Sequence, residues 1–284
     1  MDTPPRFTGA GVVLAWMFRA IEGTSGWFTH SLVDFMRWDA QGPGHVCGGA
    51  GGFIDVQSGP RIAETRNQIV DQFATAFPNA EWLLFIDSDM TFDCTLVEDL
   101  LKAADPEHVP ILGTLAFVAG GDQGGPHPTI FEEHEAVGPD GEKMVAVSHV
   151  VDYPKNALVK CGGTGASGLL IHRGVLAAMS QPWPKGFGTL ENGRPNPYPW
   201  FSEGLVNPDG HPLGEDIAFC RRARLLDIPV HVHTGIKMGH MKLYKLDEDY
   251  YQRRLADEAQ DKALATGDRA ARRRAARAAV KARS

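Results

Sequence analysis

The sequence holds no apolar run approaching the roughly 20 residues a helix needs to cross a bilayer. Its opening stretch, MDTPPRFTGAG, lacks the basic-then-apolar pattern of a secretion signal. Cysteine is scarce: Cys47, Cys94, Cys161 and Cys220 lie far apart, with no Cys-x-x-Cys pair. That spacing argues against a disulfide framework or a cysteine zinc site, and for reduced thiols in a cytoplasmic protein. No internal repeat is visible. What remains is a chain of 284 residues, 43% hydrophobic and 22% charged, the composition of an ordinary globular protein. Its length suits one large α/β domain, or one domain with an appendage.

The net charge of −7 averages two unlike parts. Residues 267–284 carry Arg269, Arg272, Arg273, Arg274, Arg277, Lys281 and Arg283 against Asp268 alone, a net of +6 that leaves −13 on the rest. An acidic body argues against broad nucleic-acid binding by the main domain. In the tail, Arg269, Arg273, Arg277 and Lys281 recur every four residues among alanines, so a helix would carry one cationic stripe. Three readings stay open for it: a solvated tail, a handle for anionic lipid, or a handle for nucleic acid.

Apolar spacing predicts an alternation of strands and helices. Strands are expected at residues 12–16, 82–86, 109–113, 169–172 and 230–233, and helices at 29–38, 61–77, 96–104, 175–179 and 216–226. The glycine-rich stretch 41–60 reads as a flexible loop or a loose edge hairpin, residues 118–154 as looser chain, and 181–214 as a long surface loop. The aromatics of that last loop, Trp183, Phe187, Tyr198, Trp200 and Phe201, suit either stacking on sugar rings or anchoring of the loop. The alternation implies an α/β fold: a mainly parallel central sheet with helices on both faces.

The sharpest feature is Phe85-Ile86-Asp87-Ser88-Asp89-Met90. In an open parallel sheet, ligands bind beyond the carboxyl ends of the strands. Two carboxylates one residue apart repel each other there, and a hard divalent cation would relieve the repulsion. A plain turn after a strand is the alternative, since Asp and Ser form turns readily. Gly163-Thr164-Gly165-Ala166-Ser167-Gly168 matches the spacing of a dinucleotide fingerprint, but a strand-like run follows it where that motif needs a helix. A nicotinamide cofactor is therefore rejected, and close backbone approach to a ligand or neighbouring strand explains the glycines better.

Two families use such an acidic pair. Asp87-Ser88-Asp89-Met90-Thr91 fits the first motif of haloacid-dehalogenase-like phosphatases, although 86 residues precede it and the later lysine and acidic pair of that family are not evident. The chain more closely resembles the nucleotide-sugar glycosyltransferases of the GT-A (Rossmann-like) fold, family-2-like, many of them encoded by phages and actinobacteria. Four segments in order carry this resemblance over residues 10–250 or so. They are Arg61-Ile62-Ala63-Glu64-Thr65-Arg66-Asn67 with the Asp87-Ser88-Asp89 run, Gly163 to Ile171, Gly214-Glu215-Asp216, and Gly239-His240 followed by Asp249-Tyr250.

The resemblance implies a catalytic domain over residues 1–250 and a charged helical extension over 251–284. It implies transfer of a sugar from a UDP- or GDP-linked donor to an acceptor hydroxyl, with inversion. Asp89 would be the direct metal ligand, His240 the second, and Asp87 would contact the ribose or a metal-bound water, with Ser88 between them in the donor site. Imidazole favours Mn²⁺ over Mg²⁺. Asp216 would act as the base, with Glu215 beside it; acidic residues at a helix start are also ordinary dipole stabilisation. Arg66 could pair with phosphate or nucleobase, or with Glu64 or Asp71 as a surface ion pair. Trp16 could border the nucleotide or belong to the core, and Lys242 could help neutralise diphosphate. His231 and His233 share one strand face and could be ligands or half-buried strand residues. The acceptor stays open among a DNA base, a protein and a glycan, and the location would be a host cytoplasm for a phage-encoded chain. A phosphohydrolase and a nucleotide-sugar-binding protein without transfer activity are the alternatives.

Overall fold

The computed structural model describes residues 11–19, 23–118, 126–137, 141, 143–181, 200–203 and 213–242. The basic tail and the loop aromatics Trp183, Phe187 and Tyr198 lie outside the described residues. The chain divides into two compact units, Met1–Met241 and Lys242–Ser284, and every element named here belongs to the first. Among the described residues no helix is long and apolar enough to cross a membrane.

The first half runs β1 (Val12–Phe18), α1 (Gly26–Gln41), β2 (Gly52–Gln57), α2 (Ile62–Ala76), β3 (Trp82–Ile86), β4 (Met90–Thr91), α3 (Leu96–Ala103) and β5 (Ile111–Leu115). The short β6 (Phe117–Val118) and β7 (His127–Pro128) lead into β8 (Ile130–Val137) and β9 (Lys143–His149). Then come β10 (Leu158–Cys161), β11 (Gly163–Thr164), β12 (Gly168–His172), α4 (Arg173–Ser180), α5 (Glu215–Arg224), β13 (Val230–Lys237) and β14 (Gly239–His240).

Seven strands form the central sheet in the order β10-β13-β5-β12-β3-β1-β2. β2, β1, β3, β5 and β13 run one way, while β12 and β10 run against them. The sheet is thus mainly parallel, with an antiparallel strand wedged between β3 and β5. Its inner strands β3 and β5 are buried along their whole length because both faces of the sheet are covered there. Val13 and Ala15 of β1 pack in one cluster with Phe73 of α2, Leu176 of α4 and Phe219 of α5. Val12 and Leu14 pack on the other face with Phe28 and Phe35 of α1 and Leu100 of α3. Each such fully buried Leu or Phe stabilises the fold by about 2 kcal/mol.

The helices carry matching end chemistry. Ser25 caps α1, its hydroxyl accepting the Phe28 N–H at 3.0 Å. α5 begins with Glu215 and Asp216 and ends with Arg221, Arg222 and Arg224, complementing its dipole at both ends.

Two stretches differ from the sequence expectation. Residues 41–60 are not a loose hairpin. Gly52–Gln57 is an edge strand paired in parallel with β1, from Val13↔Gly52 to Phe18↔Gln57. The chain before it is gathered by the buried Asp39 carboxylate, which accepts the N–H groups of His45, Val46 and Cys47 at 2.9, 3.0 and 2.6 Å. Residues 118–154 are more regular than expected, for β8 and β9 form an antiparallel hairpin in a three-stranded sheet with β11.

Candidate active site

β3 ends at Ile86, and the acidic turn follows directly. The Asp87 N–H donates to Ser167 O at 3.4 Å and the Met90 N–H to Asp87 O at 3.1 Å, closing the turn. Ser88 O accepts the Ser25 N–H at 3.0 Å, which docks the start of α1 on the turn. β4 then pairs antiparallel with β14, placing His240 opposite Met90. This short ladder brings a residue from 151 positions downstream onto Asp89: His240 Nε2 lies 3.1 Å from Asp89 Oδ2. The Met241 N–H adds a bond to Asp89 O at 2.9 Å.

A second group sits beside the first. Arg66, from the first turns of α2, has a buried side chain with 5% exposure. Its Nη2 donates to Asp87 Oδ1 at 3.2 Å, and its Nη1 lies 2.7 Å from Glu215 Oε1 at the start of α5. Its guanidinium also lies over the rings of Phe85 and Phe201, at 6.0 and 5.8 Å. Burial opposes the charge on Arg66, but Glu215, Asp87 and Asp216 outweigh it and raise its pKa. The alternative surface ion pair with Glu64 or Asp71 is not seen; Glu64 pairs with Arg61 instead, at 2.8 Å.

Asp216 is the neighbour of Glu215 with a different environment. Its Oδ1 accepts the Ile217 N–H at 2.8 Å. A side chain at Gly165 would meet its Oδ2 in ordinary contact, at 3.6 Å. Burial first, and the Glu215 charge second, push its pKa up to about 6 against the pull of Arg66 and the Ile217 N–H, with Asp87 adding to the rise. A carboxylate poised there accepts a proton far more readily than an ordinary aspartate.

The remaining expected residues fall differently. Trp16 is partly buried, its ring 5.7 Å from Phe28 and 6.2 Å from Phe53, in the aromatic packing on the α1 face. Lys242 is exposed and opens the second unit, so its part in the site rests on sequence alone. His231 and His233 lie on β13; His233 Nδ1 accepts the Gly235 N–H at 3.2 Å, and the ring lines a surface groove with Asp99, Lys102 and Asn156. Of the loop aromatics, Phe201 is fully buried and stacks on Phe219 at 4.7 Å, and Trp200 Nε1 donates to Leu176 O at 2.9 Å. Both anchor the chain.

Two supporting residues were given no role by the sequence, although Asn67 closes one of its motif segments. Asn67 is 1% exposed, and its amide both donates to Phe201 O at 2.8 Å and accepts the Phe201 N–H at 2.9 Å. Arg222 of α5 donates to Trp200 O and to the Ser202 hydroxyl. Segment 200–202 is thereby fastened to the two helices that carry Arg66 and Asp216. Only their neighbourhood to those residues could have drawn attention to them.

The donor set was tested for a divalent cation. Among the described residues no group of three or more His, Cys, Asp or Glu side chains is arranged to hold a metal ion. Two are well placed. His240 Nδ1 lies 2.9 Å from Phe117 O, and a carbonyl only accepts, so Nδ1 carries a proton. A doubly protonated ring donates its Nε2–H to Asp89 as an ion pair, whereas in the neutral ring Nε2 presents a lone pair to the carboxylate oxygen and the two repel. A shared cation removes that repulsion, and a metal-binding histidine commonly has its other N–H held in this way. Two ligands at about 2.1 Å from one metal and at right angles stand about 3 Å apart, close to the observed 3.1 Å. Asp89 and His240 therefore fit a cation such as Mn²⁺, whereas Asp87 is turned to Arg66.

No protein-family model and no curated protein matches this chain. Among solved structures, it is similar to A197 from STIV, at TM-score 0.46 and 13% identity over 82% of this chain and 86% of that one. It is also similar to GalNAc-T7 with UDP, GalNAc and Mn²⁺, at TM-score 0.44 and 12% identity, with 88% of this chain covering 51% of that one. A third is S. aureus TarS 1–349, at TM-score 0.41 and 13% identity over 88% and 65%. The chain thus spans about half the length of the GalNAc-T7 chain.

Proposed function

We propose that this chain is a metal-dependent glycosyltransferase of the GT-A type, which moves a sugar with inversion from a nucleoside-diphosphate donor to an acceptor hydroxyl. The observation that carries this reading is the Arg66 bridge from Asp87 to Glu215. It joins the cation-fitting pair Asp89–His240 and the proton-accepting Asp216 in one cluster beyond the carboxyl end of β3. The four ordered sequence motifs supply the same residues independently.

In this reading Asp89 and His240 hold Mn²⁺ or Mg²⁺, which when bound neutralises charge on the leaving diphosphate. Asp216 takes the proton of the acceptor hydroxyl as its oxygen bonds to the anomeric carbon. The bond from that carbon to the diphosphate oxygen breaks, and its electron pair leaves with the diphosphate. The turn of Asp87 and Ser88, tied to α1 through Ser25, shapes the donor side.

A thermal-shift screen of UDP- and GDP-sugars, with and without Mn²⁺, tests the reading. Metal-dependent stabilisation by one nucleoside diphosphate, with slow hydrolysis of its sugar donor, is the expected result. Stabilisation with no hydrolysis or transfer would leave a binding protein. Phosphate release from generic phosphomonoesters, with no response to UDP or GDP, would replace it by a phosphohydrolase.

A further inference from the structure

Glu215 and Asp216 are adjacent in sequence, yet the fold separates their surroundings. The Glu215 carboxylate is drawn to Arg66 at 2.7 Å and its side chain is 14% exposed. Among the described residues no cation is ion-paired with Asp216; one oxygen is fixed by the Ile217 N–H, and the other lies where Gly165 has no side chain. Gly214 contributes to the same division, because a Cβ there would crowd Asp216 Oδ1.

Arg66 is itself held from several sides. α2 supplies its backbone, the rings of Phe85 and Phe201 flank its guanidinium, and Asn67 fastens the Phe201 backbone. Both of its charged contacts are carboxylates of this chain, on the turn after β3 and at the start of α5. A guanidinium already neutralised by two carboxylates offers a donor phosphate little uncompensated charge.

We propose that Arg66 and Glu215 are a positioning pair, which fixes the start of α5 against the Asp87 turn and so aims the Asp216 carboxylate. Neither touches donor or acceptor. This inference rests on the transferase reading for its catalytic meaning, but its electrostatic content stands without it. The charged and polar groups facing Asp216 are Glu215 and the Cys220 thiol on its own helix, Arg66 on α2, Asp87 on the turn after β3, and the Ile217 N–H. Glu215 raises the proton affinity of Asp216 and Arg66 lowers it. Removing the two partners should therefore move it in opposite directions.

The experiment is a carboxyl-carbon NMR titration of Asp216 in the full chain and in Glu215→Gln, Arg66→Lys and Arg66→Met, with UDP–Mn²⁺ binding and donor hydrolysis measured beside it. Glu215→Gln is close in shape and keeps the fold. It should lower the Asp216 midpoint below about 6 and slow hydrolysis roughly 10- to 100-fold through misplacement of the base, with UDP–Mn²⁺ affinity retained. Arg66→Met should raise the midpoint, and Arg66→Lys should restore part of the rate. An unmoved Asp216 midpoint in Glu215→Gln, or a loss of UDP–Mn²⁺ affinity in Glu215→Gln and Arg66→Lys together, overturns the positioning role. If no sugar nucleotide binds or reacts, the transferase reading fails, while the opposed NMR shifts still decide whether the pair governs Asp216.

Discussion

His240 Nε2 faces Asp89 Oδ2 across 3.1 Å, while its Nδ1 is spent on the Phe117 carbonyl. Three separate parts of the chain meet there: the turn after β3, the end of β5–β6, and β14. In the proposed transferase this pair would hold the cation. Asp89→Ala and His240→Ala should each weaken Mn²⁺-dependent stabilisation by UDP or GDP at least about 100-fold, more than the tenfold to hundredfold loss typical of a residue that only supports a ligand. Thermal shift against Mn²⁺ concentration reads this directly. An unchanged Mn²⁺ dependence in His240→Ala would remove histidine from the donor set.

Asp216 sets the pH behaviour. Its pKa lies at about 6, above the ordinary 3.8, so the base form fills as pH rises through about 6. Transfer or donor hydrolysis should rise over that interval and level off above pH 7. For stability the sign is opposite. A raised folded-state pKa contributes stability fully present below about 3.8 and lost as pH rises through about 6. Asp216→Asn removes that dependence. It should abolish most of the activity, and at pH 8 it should raise stability by about 3 kcal/mol, the scale of a shift near two units. Urea denaturation at pH 5 and pH 8 checks both halves.

The glycines of residues 163–168 divide into two kinds, which a pair of alanine variants separates. A Cβ on Gly168 would overlap Thr114 Oγ1 and Met238 Sδ at the junction of β12 with β5 and β13. Gly168→Ala should cost about 1–3 kcal/mol, as overpacking does. A Cβ on Gly165 meets Thr129 and Asp216 only at ordinary contact distance, 3.5–3.6 Å. Gly165→Ala should leave the melting temperature nearly unchanged, and any loss of transfer to an acceptor would then report on space beside Asp216.

How much of this was legible in the sequence depends on how far each signal reaches. β3 and its acidic turn were plain, because a strand buried on both faces is continuously apolar and stops sharply at Asp87. α2 was plain from the spacing of Ile69, Val70 and Phe73. β2 was not, because its partner β1 lies before α1, and hairpin logic looks only to neighbours. β8 carries Glu132, Glu133, His134 and Glu135, so its polar run reads as loose chain until β9 pairs with it. Arg66 shows the same limit at the site. Nearby sequence offered Glu64 and Asp71, whereas its partners Asp87 and Glu215 lie on other elements. The motifs named those residues one by one, but only the packing of α2 against the start of α5 shows that they meet.

Asn67 gives the last test, of how firmly the chain beside the site is held. Its amide makes both bonds to the Phe201 backbone, and residue and partner are buried. Asn67→Ala takes those two bonds from polar groups that water does not reach, at about 1–3 kcal/mol for each, so a loss of about 2–5 kcal/mol is expected from urea denaturation. Phe201 also lies under the Arg66 guanidinium at 5.8 Å. Loosening it should disturb Arg66 and lower the rate of donor hydrolysis at temperatures where the variant is still folded. Asn67→Leu, which fills more of the space but restores neither bond, should be no better. A variant as stable as the parent would mean that segment 200–202 is held by Arg222 alone.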